Sequence, residues 1–84
     1  MSIHSSQFTI NSTAVKFAES DGMPLEVHIH AKGTIYIGNS TVTTSTGLQM
    51  DNGDKLVFTV PDGSSLWAVS ASGSQSASVL VAVL

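Results

Sequence analysis

Cysteine is absent from the 84 residues, so neither a disulfide framework nor a thiolate metal site stabilises this chain. Arginine is absent too, and the only lysines, Lys16, Lys32 and Lys55, are scattered. A nucleic-acid-binding domain needs a basic face to neutralise phosphates. The formal net charge of −3 supplies none, so neither DNA nor RNA is an expected partner. Only 11% of the residues are charged, and there is no long block of one sign. The longest apolar run, Val79 to Leu84, is far too short to cross a bilayer as a helix. The first residues, Met1-Ser2-Ile3-His4-Ser5-Ser6, lack the cationic and apolar regions of a secretory signal. The expectation is a soluble protein made in a cytoplasm, with no membrane partner.

A chain of this length makes one domain, spanning residues 1–84. In so small a domain, apolar burial and conformational entropy nearly cancel. With no covalent or metal staple, docking or self-association is the remaining common source of stability.

What the chain does contain is alternation. Phe8 and Ile10, Val15 and Phe17, and Leu25, Val27 and Ile29 recur with period two among polar neighbours. Ile35 and Ile37 flank Tyr36, and Leu56, Phe58 and Val60 form a further stripe. Leu66 to Ala71 and Ala77 to Val83 complete the set. Glycine pairs such as Lys32-Gly33, Asn52-Gly53 and Asp62-Gly63 separate the segments. No segment has a helical apolar period. The pattern predicts an all-β domain: a small β-sandwich or β-barrel of six to eight short antiparallel strands.

The last segment departs from simple alternation. Val79, Val81 and Val83 point one way, Leu80, Ala82 and Leu84 the other, and both sets are apolar. Such a strand is either central between two layers or covered by another chain. Trp67 faces away from Leu66 and Ala68, which fits a core tryptophan or an interface residue.

Candidate chemistry is thin. His28 and His30 share a strand face with Glu26 and could chelate a metal together with Glu26 or His4. Zinc requires three or four ligands in tetrahedral reach, and the spacing secures only the histidine pair. The pair therefore reads as part of a polar outer face open to a neighbour. Asp51-Asn52-Gly53-Asp54 resembles a fragment of a calcium loop but lacks its full ligand spacing, and is better explained as a hairpin turn with positive φ. No serine sits in a nucleophile elbow, and all three histidines lie within the first 30 residues. Neither an enzyme nor a cofactor is expected.

From Thr34 onward the chain resembles small structural proteins of tailed bacteriophages. The resembling residues are Ile35-Tyr36-Ile37-Gly38, Val42-Thr43, Gly47-Leu48, Gly53, Leu66-Trp67-Ala68-Val69-Ser70-Ala71 and Ser78-Val79-Leu80-Val81. The likeness is greatest to capsid decoration, or minor capsid, proteins. It implies a virion protein on the phage head that docks on the major capsid protein and stabilises the shell by bridging subunits. The self-association expected above would then be a homotrimer. Trp67, Leu80, Val83 and Leu84, with His28 and His30, are the expected interface residues. Tail or head-fibre components share the pattern, and a small carbohydrate- or cell-surface-binding β module is the alternative from another class.

Overall fold

The computed structural model describes residues 3–20, 22–71 and 73–83. Eight strands follow in order: β1 (Ile3–Ile10), β2 (Val15–Glu19), β3 (Leu25–Ala31), β4 (Ile35–Gly38), β5 (Leu48–Met50), β6 (Lys55–Val60), β7 (Ser65–Val69) and β8 (Gln75–Val83). They form two four-stranded antiparallel sheets, β1-β8-β3-β6 and β2-β7-β4-β5. The all-β expectation holds, as a sandwich of eight strands rather than a barrel.

The chain behaves as one long antiparallel ribbon folded at residues 39–47. Along the ribbon β1 pairs with β8, β2 with β7, β3 with β6 and β4 with β5. Two further pairings, β3 with β8 and β4 with β7, roll that ribbon into two facing sheets. The resulting order is that of a jelly roll. Apolar residues from alternate positions of both sheets meet between them. Ile10, Val27, Ile35 and Val60 are fully enclosed, with Phe17, Leu25, Ile29, Ile37, Ala68 and Val79 around them. The Phe8 and Phe17 rings meet edge to face, with centroids 6.4 Å apart, and tie β1 to β2 across the sandwich.

Three features differ from the sequence reading. First, β8 is hydrogen-bonded on both sides, to β1 and to β3. Its backbone therefore needs no partner chain, but β8 does not lie between two layers: Val79 is buried in the core while Leu80, on the other face, is 40% exposed. Second, β5 has too few residues to show a period and was not expected. Third, the turn at Asn52-Gly53 is real but joins no hairpin, because β5 and β6 lie in different sheets. Asp54 N donates to Asp51 O at 3.0 Å, and Gly53 N donates to Ala31 O at 2.8 Å, which binds the corner to the end of β3. Gly53 has φ of 90°, while no described residue other than glycine has positive φ.

The loop between β4 and β5 folds back over the outer face of the second sheet. Its Val42 is only 6% exposed yet lies outside the main core. Gly38 and Gly47 make room for it: a Cβ on Gly47 would stand 2.7 Å from Tyr36 Cβ and 2.9 Å from Val42 Cγ2. Asn39 Oδ1 accepts hydrogen bonds from Thr41 N and Thr41 Oγ1, and Thr43 and Thr46 close the next turn.

Two stability predictions follow from these turns. A Cβ at Gly53 would meet no atom within 4 Å, so Gly53→Val should cost about 1–3 kcal/mol in urea titrations, chiefly through backbone strain at positive φ. Ser74→Val, on an exposed loop, should change stability by less than about 0.5 kcal/mol in the same urea titrations. Equal effects would remove the requirement for positive φ at Gly53. Val42→Ala should cost on the order of 1–3 kcal/mol through lost burial and the cavity it leaves. A melt unchanged by that substitution would show that the loop does not pack on the sheet.

Candidate functional site

Each sheet has one face in the core and one turned outward, and the two outward faces are treated differently by the chain. On the β2-β7-β4-β5 sheet, the loop at residues 39–47 folds back on the outer side, with Val42 buried beside Gly38 and Gly47. Trp67 lies on this face, with Lys16 and Gly38 as its cross-strand partners. It is half-buried, and its indole Nε1 donates to Ser65 Oγ at 2.9 Å. It is therefore neither a core tryptophan nor a neighbour of the β8 residues with which it was grouped.

The outward face of the β1-β8-β3-β6 sheet has no such cover. Strand register sets three rows across it. Ile3, Ala82, Glu26 and Thr59 form one, Ser5, Leu80, His28 and Val57 the next, and Gln7, Ser78, His30 and Lys55 the third. The last two rows line an open concavity of about 680 Å³. Leu80 is 40% exposed there, an apolar side chain flanked by serine and histidine. Of the expected interface residues, the fold brings Leu80, His28 and His30 together on this face. Val83 pairs with Leu25 on the opposite side of the sheet and packs against the core. Leu84 lies outside the described residues.

The chemistry available on the face is limited. His28 Nε2 lies 2.7 Å from Glu26 Oε1, an exposed hydrogen-bonded pair. His4 cannot join them, because its register partner is Val81, on the core side of β8. Among the described residues no group of three metal-ligating side chains converges. No serine hydroxyl among them is hydrogen-bonded to a histidine. The carboxylates of the Asp51–Asp54 corner hold the turn: Asp54 Oδ2 accepts from Asp51 N at 2.8 Å, and Asp51 Oδ1 from Gln49 Nε2 at 2.9 Å. What this surface can do is bury area and exchange hydrogen bonds.

The strand edges complete the picture. The first sheet ends in β1 and β6, the second in β2 and β5. On β6, Val57 is 58% and Phe58 45% exposed, and on β1 Ile3 is 63% exposed. None of these three was among the expected interface residues, and the sequence pattern places Phe58 in the stripe with Leu56 and Val60. The available signal was the run Leu56-Val57-Phe58, apolar on both faces like β8.

No protein-family model matches the sequence, and no curated protein matches it. The fold is similar to that of a solved Bacillus endospore appendage structure, described as belonging to a novel family of disulfide-linked pili. The identity is 14%, the likeness spans 99% of this chain and 86% of that chain, and the TM-score is 0.66. At that identity the shared property is the fold. It nevertheless corrects the expectation of a phage capsid decoration protein: the structural likeness is to a surface-appendage protein, and the capsid-decoration reading is withdrawn.

Proposed function

We propose that this chain is a structural building block that assembles with further copies of itself into a surface appendage, and that it works mechanically rather than catalytically. The fold shared with an endospore appendage protein over nearly the whole chain carries this reading. One property of the molecule supports it: one sheet presents an uncovered outer face with apolar side chains exposed at both of its edges. The closed homotrimer had only the capsid resemblance to recommend it over other assemblies, and it falls with that resemblance. Self-association is retained.

In one respect the chain departs from its structural relative. The relative is described as disulfide-linked, and these 84 residues contain no cysteine. No disulfide can join copies through them, and we take the contacts to be non-covalent. Such contacts must come from buried area, hydrogen bonds and strand pairing, all of which are lost in denaturant and indifferent to reductant.

Sedimentation velocity and negative-stain electron microscopy of the purified protein provide the test. The expected outcome is concentration-dependent growth into elongated particles. Adding a thiol reductant should leave their length and stability unchanged. A chelator should likewise leave assembly and melting temperature unchanged, because the His28/His30 pair and the Asp51–Asp54 corner lack complete ligand sets. A folded monomer that persists to the solubility limit would overturn the proposal.

A further inference from the structure

The four strand edges are not equally guarded. An exposed edge offers unpaired N–H and C=O groups to any passing strand, and proteins blunt it by shortness, charge, proline or a bulge. β5 is three residues long. β2 carries Lys16 and Glu19, paired at 3.2 Å, and its register is broken by a bulge between Lys16 and Ala18. β1 runs eight residues in unbroken register without proline or a permanently charged side chain. β6 runs six residues, also unbroken, with Lys55 at its first position as its only charge. Both edges of the second sheet are guarded, and both edges of the first are open.

We propose that β6 of one copy pairs antiparallel with β1 of the next, so that the β1-β8-β3-β6 sheet continues from copy to copy. This rests on the self-assembly reading above and names its surface. Strand direction favours it. Neighbours in a sheet of four antiparallel strands alternate, so β1 and β6 run oppositely. A second copy in the same orientation therefore offers β1 antiparallel to β6, with no rotation needed. Side-chain parity agrees. Leu56, Phe58 and Val60 face the core side of β6, as Ser6, Phe8 and Ile10 do on β1, so pairing in phase extends the core and covers Phe58. Val57 then joins the outward face that carries Ile3 and Ser5. Lys55 and His4 are the only ionisable side chains on the two strands, so no network of like charges opposes the contact. A two-fold pairing of β6 with β6 would leave β1 open, whereas the head-to-tail contact uses both edges and grows without closing.

Lysine substitutions at exposed positions test this. Val57→Lys and Ser5→Lys should each raise the concentration needed for assembly by at least about tenfold while keeping the wild-type far-UV spectrum. Leu48→Lys, on the guarded β5 edge, should assemble as wild type. Cysteine cross-linking gives a second readout, unambiguous because the chain has no native cysteine. Within one chain Ser5 and Val57 stand three strand spacings apart, roughly 14 Å, beyond the reach of a short bis-maleimide. The double variant Ser5→Cys, Val57→Cys should give a ladder of multimers on a denaturing gel, and Val57→Cys alone should give none. A band that stops at dimer with Val57→Cys alone would replace the proposed contact with the two-fold one. Assembly unaffected by Val57→Lys or by Ser5→Lys, or lost with Leu48→Lys, would overturn the β6–β1 contact and leave self-assembly standing. Wild-type protein that stays monomeric would overturn both.

Discussion

The pairing of β3 with β8 turns this chain from a ribbon into a sandwich. The contacts of β1 with β8, β2 with β7, β3 with β6 and β4 with β5 alone would give a two-stranded ribbon, which has no way to bury its apolar face and little stability in water. The β3–β8 contact holds seven consecutive register pairs, from Leu25 with Val83 to Ala31 with Ala77. It places two long strands side by side in the middle of one sheet, where Val27, Ile29, Ala77 and Val79 reach the core. The matching β4–β7 contact on the other side has only three pairs. The long strand pairing thus carries most of the closure, between segments about fifty residues apart.

Rolling the ribbon also decides where polar groups go. Every connection but β4–β5 crosses from one sheet to the other, so corners replace hairpins. Ser20 and Ser70, the two buried polar residues of the described chain, sit at such corners. Their hydroxyls donate to the carbonyls of Met23 and Gly73. Their own amides donate to Ser64 O and Asn11 O, on neighbouring connections. Among the described residues no buried side-chain nitrogen or oxygen is left without a partner. The interior is therefore satisfied by the monomer, and any need for a partner arises at the surface.

That surface is asymmetric in a way that bears on function. One sheet is closed by its own loop and by guarded edges, and the other is open on its face and at both ends. A domain with so little charge has few ways to keep an open sheet from its neighbours. In a structural subunit, that openness is where assembly begins. With no thiol available, no disulfide can reinforce contacts made there.

Strand positions were largely legible in the sequence. Alternation in Leu25-Val27-Ile29 and Ile35-Ile37 follows directly from the pleat, since one face is buried and the other is not, whereas in Leu56-Phe58-Val60 the edge position leaves Phe58 exposed. The glycine requirement at the Asn52-Gly53 turn was legible for the same local reason, because positive φ penalises any side chain. Partnership was not legible. A doubly apolar strand such as β8 looks the same whether it is central or at an edge of its sheet, and only long-range pairing with β1 and β3 decides between them. Trp67 shows the same limit: period two placed it opposite Leu66 and Ala68, while the fold put it on the far sheet from Leu80. Residue pattern records which faces are dry, a property of each strand alone. Which strands are edges depends on contacts between distant segments, and for this chain the tertiary structure alone decided it.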